Sequence, residues 1–310
     1  MNRCLNSLLN QEINPDIIEL IVVDNKSDNG FQSKIKFDFP FQFKLIHENR
    51  LGLTHARIAG INVAIGDMIV FVDDDNFLHS SYLKNIITIS ERYAEVGCFG
   101  AARIFPEFEV EPSTELLPHL GLLALRDDEI GGTSSDVTDY LYPYGAGLVL
   151  RRDVALSYIN DVCSSDLKLS LDRQGSLLNS CGDDHFSWIA IRLGYKKGVF
   201  PELQLTHYIP EFRVQKDYLL RLMESFGYSR SLLFYINGMD FPGLNVIQES
   251  SRLSKRVPKL RMFFYRIKSG FLKMFSRDMG SIEEEFKQAR NAGVLRFYNQ
   301  VYLKYNLSSN

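Results

Sequence analysis

Residues 67–77 read DMIVFVDDDNF, an apolar run that closes on Asp73, Asp74, Asp75 and Asn76. The apolar part predicts a strand over 67–75. Adjacent carboxylates repel one another, so the cluster needs either water around it or a cation on it. Asp and Asn form turns readily, which allows a plain acidic turn. An EF-hand loop needs acids at alternate positions, then a Gly and a distant Glu; Phe77, Leu78 and His79 do not supply that pattern. A phosphatase with an aspartyl nucleophile would place DxD after the first strand of its domain. Here a complete strand–helix unit comes first. The remaining possibility is an open magnesium or manganese site, where one or two carboxylates hold the ion and substrate phosphates complete its shell. On an extended chain Asp73 and Asp75 point one way and Asp74 the other. One of that pair could hold the metal while the other accepts a hydrogen bond from a hydroxyl.

Working outward, short apolar runs alternate with helical patterns as far as about residue 210. IELIVVDN (18–25) reads as a buried strand ending in Asp24, followed by a strand in FKLIHEN (43–49) and a Gly-containing turn. THARIAGINVAIG (54–66) reads as a helix with Thr54 as its N-cap. SSYLKNIITISERYAE (80–95) is a further helix, and GCFGAARIF (97–105) and YGAGLVL (144–150) are further strands. This alternation predicts an α/β fold with a mostly parallel, Rossmann-like sheet flanked by helices. Ligands in such sheets bind beyond the carboxyl ends of the strands. Asp24 and the acids at 73–75 lie at two such ends.

After residue 212 strand patterns give way to helical ones, which divides the chain into 1–212 and a helical region, 213–310. Between Arg252 and Arg277 there are nine Lys or Arg and no acid, with Leu260, Phe264, Ile267, Phe271 and Met274 on one helical face. Such a helix can lie on an anionic membrane surface, or pack on its neighbour with the basic face in water. The last stretch, IEEEFKQARNAGVLRFYNQVYLKY, reads as another helix. The 310 residues carry a net charge of −3 and are 45% hydrophobic, a balance that argues against nucleic acid as partner. Cys4, Cys98, Cys163 and Cys181 are scattered without a CxxC pair, which points to neither zinc nor a disulfide framework. With no membrane-span pattern and no signal peptide, the expected location is cytoplasmic, with peripheral contact at the inner membrane face through 252–277.

ELIVVDNKSDN followed by ENRLGLTHARIAGINVAIGDMIVFVDDDNF resembles the nucleotide-binding half of a family 2 glycosyltransferase with the GT-A fold. CGDDHFSWIAIRLGYKKGVFP (181–201) resembles that family's acidic catalytic motif, and LTHYIPEFR (205–213) the segment after it. The resemblance covers roughly residues 1–215 and is specific because the motifs follow the family's order and spacing. It implies that Asp24 takes the base of a nucleotide such as uracil, and that Arg57 lies near the nucleotide or its diphosphate. Asp73 and Asp75 become the DxD pair, with Asp73 and Asp74 at the nucleotide sugar and Asp75 on Mn²⁺ or Mg²⁺. His207 becomes a further metal or diphosphate ligand, and Asp184 the base. The first residues, NRCLNSLLNQ, match the helix that follows the family's first strand. That strand is therefore expected to be missing, through truncation or because the sheet is completed in another way. The QxxRW sequence of processive members is absent, which points to transfer of one residue.

Several residues carry two readings at this stage. Asp183 and Asp184 suit an N-cap and first turn as well as acceptor binding and base catalysis. A helix N-terminus would lower the base's pKa and burial against Trp188 or Phe186 would raise it. Trp188 could stack on an acceptor sugar or fill the core. Gly145 and Gly147 could let an acceptor approach the backbone or mark a bulge. The function so implied is inverting, metal-dependent transfer from a nucleotide-diphosphate sugar, a UDP-sugar first, to a glycan or lipid-linked acceptor in cell-surface polysaccharide assembly. The rivals are a nucleotidyltransferase, whose Gly-rich basic loop is not visible, and a non-catalytic nucleotide- or glycan-binding protein.

Overall fold

The structure, a computed structural model, describes residues 1–27, 38–243 and 281–307. Two compact units divide the chain, Met1–Leu219 and Leu220–Asn310. The first opens with helix α1 (Asn2–Leu9), where a helix was expected. Strands β1 (Glu19–Asp24) and β2 (Gln42–His47) pair in parallel and form a sheet of their own.

The larger sheet has seven strands: β3 (Met68–Val70), β4 (Asn76–Leu78), β5 (Val96–Phe108), β6 (Arg126–Asp127), β7 (Gly132–Ser134), β8 (Val149–Arg151) and β9 (Lys196–Ile209). Its main path runs β3-β8-β5-β9-β4, with β6 on β5 and β7 on β9. The α/β class stands, but the sheet is mixed instead of mostly parallel. Only β5–β9 run parallel within it, while β3–β8, β5–β8, β4–β9, β5–β6 and β7–β9 are antiparallel. Much of this comes from β4 and β7, three residues each, which run back along β9.

Side chains alternate between the two faces of the sheet, as the strand period requires. Phe99, Ala101, Val149 and Leu205 pack with Tyr82, Ile86 and Ile89 of helix α3 (Tyr82–Arg92; α2 is Leu53–Val63). Cys98, Leu148 and Leu150 pack on the other face with Ile58 and Ile61 of α2, Val154, Ala155 and Tyr158 of α4 (Arg152–Val162), and Phe186 and Ile189 of α5 (Gly182–Arg192). Each such fully buried side chain contributes about 1.5–3 kcal/mol, so these two layers hold the strand ends in place.

Helix α6 (Lys216–Ile236) begins in the first unit and continues into the second. The second unit also holds α7 (Ile282–Phe297), a π-helical turn at Tyr298–Tyr302 and a last helix, Leu303–Leu307. Helices α6 and α7 meet at a glycine pair: a Cβ on Gly227 would collide with the Arg290 carbonyl, and one on Gly293 with the Glu224 carbonyl. The basic stretch 252–277 lies outside the described residues. No helix among the described residues is long and apolar enough to cross a membrane.

Candidate active site

The chain leaves regular strand geometry earlier than the pattern predicted. Strand β3 ends at Val70, and Asp74 and Asp75 form a turn closed by the Asn76 N–H on the Asp73 carbonyl at 3.0 Å. The expected strand over 67–75 is thus corrected: like charges separate better around a turn than along one edge. The turn re-enters the sheet at once as β4, antiparallel to β9, with Asn76 opposite His207. The Tyr208 N–H donates to the Asp75 carbonyl at 2.9 Å, fixing the backbone at the acid.

This register sets Asp75 beside His207. Asp75 Oδ2 lies 3.6 Å from His207 Nε2 and 2.9 Å from Arg213 Nη1. Burial by itself would raise the Asp75 carboxyl; His207 and Arg213 outweigh it and hold the group below its ordinary value. Asp73 is exposed at its surface, and desolvation by the protein around it pushes its carboxyl up to about 6, against the pull of Arg57. Asp74 is the outward member, 82% exposed, 4.0 Å from the N-terminal amine. Among the described residues no three His, Cys, Asp or Glu side chains assemble into a metal cage. An open site needs fewer: Asp75 and His207 offer one carboxylate and one imidazole, and substrate phosphates bring the rest. The residues fit a divalent cation, because Asp75 Oδ2 and His207 Nε2 already draw a positive group, Arg213, to both atoms.

At the other strand end, Asp24 accepts from the Ser27 N–H at 2.9 Å and pairs with His47 Nδ1 at 3.0 Å. Those contacts, Ser27 foremost, lower its carboxyl pKa. Next to it, Asn25 accepts from the Gly52 N–H and donates to the Glu48 and Arg50 carbonyls, fastening the turn that starts α2. Gly52 (φ 136°), not Thr54, stands at the N-cap. Thr54 lies inside the helix, its hydroxyl 3.5 Å from Asp172. The left-handed region suits Gly and excludes a Thr.

Arg57 is buried and paired with Asp172 at 2.7 Å, each side chain 6% exposed. Its guanidinium lies 5.5 Å from the ring centres of both Phe71 and Phe186. Sequence reasoning assigned no role to Asp172, which sits in SLDRQG without any motif around it.

Cys181, in the left-handed region, swings the chain into α5, whose first turn carries Asp183 and Asp184. Gly182 packs so tightly on Asp172 that a Cβ there would overlap the carboxylate. Asp183 accepts from the Gly145 N–H at 2.9 Å and the Asp184 N–H at 3.1 Å. Burial raises its carboxyl, opposed by Arg57 and reinforced by Asp172. Asp184 is 8% exposed. Gly145 lies against Arg57 and Asp183, whereas Gly147 (φ 72°) makes its close approach to the Tyr82 hydroxyl, which donates to the Gly147 carbonyl at 2.7 Å. Trp188 is buried and donates its indole N–H to the Tyr142 hydroxyl at 3.2 Å.

The 134–145 loop is pinned from beneath by a buried lysine that the sequence did not single out. Lys197 pairs with Asp139 at 2.6 Å and lies 3.4 Å from the Tyr142 ring centre.

A family model described as Glycosyl transferase family 2 matches residues 1–154. The putative glycosyltransferase EpsH of Bacillus subtilis (strain 168) is 34% identical over 88 residues, 27% of this chain. The chain spans 24% of that relative's length. Among solved structures, the mannosyltransferase PcManGT from Pyrobaculum calidifontis, in complex with GDP-Man and Mn²⁺, superimposes with a TM-score of 0.56 at 14% identity, covering 96% of this chain and 82% of that one. S. aureus TarS 1-349 aligns with a TM-score of 0.47 at 16% identity, covering 99% and 87%. The motifs, their order along the strands and the family match agree: residues 1–154 belong to glycosyl transferase family 2, and the chain has the GT-A fold.

Proposed function

We propose that the chain transfers one sugar, with inversion, from a nucleotide-diphosphate sugar to a hydroxyl of a glycan or lipid-linked acceptor during assembly of a cell-surface polysaccharide. The observation that carries this reading is the β4–β9 register, which sets Asp75 3.6 Å from His207 at the end of a strand. That pair would hold Mn²⁺ or Mg²⁺, which when bound offsets the charge growing on the departing nucleotide diphosphate. Asp24 would meet the base, and Asp73 and the exposed Asp74 the sugar and ribose side. Arg57 would act at one remove: tied to Asp172, it braces the Gly145 and Asp183 backbone that faces the sugar. Asp183 is held by two backbone N–H groups, which suits anchoring of the acceptor loop and leaves Asp184 as the base that takes the acceptor's proton. Gly147 and Trp188 would shape the acceptor wall from behind, through Tyr82 and Tyr142.

The test is nucleotide release from UDP- and GDP-sugars with Mn²⁺ or Mg²⁺; the GDP-Man in the mannosyltransferase structure makes the second base worth including. Release from the wild type, lost by at least 100-fold in Asp75→Ala and Asp184→Asn, supports the transferase. Pyrophosphate release would support a nucleotidyltransferase instead. Binding without turnover across a range of acceptors would favour a non-catalytic nucleotide- or glycan-binding protein. Peripheral membrane contact through 252–277 belongs to the same proposal, read out by sedimentation with anionic vesicles.

A further inference from the structure

The Asp75–His207 pair already holds a cationic side chain. Arg213 Nη1 lies 2.9 Å from Asp75 Oδ2 and 3.4 Å from His207 Nε2, the same two atoms that a cation on this pair would use. The backbone under Arg213 is fixed: its N–H donates to the Pro210 carbonyl at 2.9 Å, the Glu211 N–H donates to Glu109 at 2.9 Å, and Val214 is buried. Asp75 is fixed from its side by the Tyr208 N–H. The guanidinium is half-buried, 20% exposed, and its Nε is buried without a hydrogen-bond partner. Its hydrogen bonds to the pair run through a single nitrogen, Nη1, and it lies 5.9 Å from the Phe212 ring centre.

We propose that Arg213 is the resident cation of the Asp75–His207 pair, and that a divalent metal binds there by displacing it. A guanidinium and a dication cannot share one carboxylate oxygen, because like charges a few ångströms apart in a partly buried site repel strongly. Exchange keeps Asp75 paired at every stage, so the carboxylate is never both buried and uncompensated. The backbone anchors confine the motion to the arginine side chain, which swings off while the turn beneath it stays. No covalent bond of the protein is made or broken: the hydrated ion would release water ligands in exchange for Asp75 and His207, and the Arg213 hydrogen bond to Asp75 would pass to solvent.

The inference rests on the metal reading given above, and the experiment separates the two. Mn²⁺ alone is titrated into the full chain, without nucleotide, while the spectrum of free Mn²⁺ is followed by electron paramagnetic resonance. Wild type, Arg213→Ala, Arg213→Gln and Asp75→Asn are compared, with circular dichroism to show that each is folded. Removing the competing charge should tighten Mn²⁺ binding about 3- to 10-fold in Arg213→Ala. Arg213→Gln, which keeps a donor for Asp75 but no charge, should tighten it as well and serves if the alanine variant does not fold. Asp75→Asn should abolish binding. Equal or weaker Mn²⁺ affinity in both Arg213 variants, with binding still dependent on Asp75, would overturn the exchange and leave the metal site standing. Absence of Mn²⁺ binding by wild type and Arg213 variants alike would overturn both.

Discussion

Arg57 and Asp172 show what burial does to a charge pair in this site. Both side chains are 6% exposed and 2.7 Å apart, so removing one strands the other in a poorly hydrated place. Asp172→Ala should destabilise the first unit by about 3–5 kcal/mol, measured by urea denaturation. The double variant Arg57→Met/Asp172→Leu should recover much of that loss, since no charge is then left buried. A second polar knot controls the acid limb of stability. Asp161 accepts from Lys168 at 2.9 Å, Arg192 at 2.8 Å and His185 at 2.9 Å. Burial would raise the Asp161 carboxyl, but these three partners, His185 first, hold it far below the ordinary range. Its stabilisation is complete above the unfolded pKa of about 4 and fades as pH falls through the folded value. His185 acts in the same direction: burial lowers its pKa, so below about pH 6.5 the unfolded chain takes up that proton first. Stability should therefore drop fastest below about pH 4; between about pH 6.5 and 4 the loss at His185 is opposed by Asp73 and Asp183, whose raised carboxyls take up protons first in the folded chain. Asp161→Asn should lose about 1–3 kcal/mol at neutral pH and flatten the steeper limb; an unchanged limb would remove Asp161 from the account.

Elements in this chain are positioned by close approaches that tolerate few side chains. In the second unit α6 and α7 cross where Gly227 faces the Arg290 carbonyl and Gly293 the Glu224 carbonyl. Phe297 is fully buried there among Tyr228, Tyr235 and Phe241, and Arg296 pairs with Glu224 at 2.8 Å. Gly293→Ala should overpack the crossing and cost roughly 1–3 kcal/mol, seen as a lower melting temperature of the full chain. Gly121→Ala, where a Cβ would meet nothing within 4 Å, is the matched control and should leave the melt within experimental error. At the site, the same economy governs β4. Its three residues pair with β9 while Leu78 enters the core, and that pairing converts a surface acidic turn into the partner of His207.

Across the first unit, stability should be uneven because the sheet is in two pieces. Among the described residues no strand joins β1 to β3, and β1 is half-buried along its whole length. Among the ties between the β1–β2 pair and the remainder is side-chain chemistry at the end of α2, besides Asn25 at its start. Glu19 accepts from the Ile65 and Gly66 N–H groups, and Lys44 donates to Glu19 and to the Val63 carbonyl. A two-stranded sheet is marginal alone, while β5–β9 run side by side through the core. Amide hydrogens of β1–β2 should therefore exchange markedly faster than those of β5–β9. Glu19→Ala should speed the first set further, at about 1–3 kcal/mol, without touching the second. Equal protection of both sets would mean the pair is held by something other than these contacts.

The linear order of residues determined, without any fold, where the acids, glycines and apolar runs of this chain fall. Local patterns placed β1, β2, α2, α3 and α5, and Asp24 at a strand end, because periodicity is written within a dozen neighbouring residues; they did not place the end of β3 at Val70, before the acids Asp73–Asp75. It also determined that Asp183 and Asp184 begin a helix, though not that backbone N–H groups of Gly145 and Asp184 hold Asp183. Only tertiary structure decided that Asp75 turns back beside His207, that Arg213 rests on both, that Asp172 takes Arg57, and that Lys197 pins the 134–145 loop through Asp139. Each of those pairs joins segments distant in sequence, and its partner is chosen by strand register and by the need to neutralise a charge where water is scarce. Neither influence leaves a mark on the neighbouring residues of the chain.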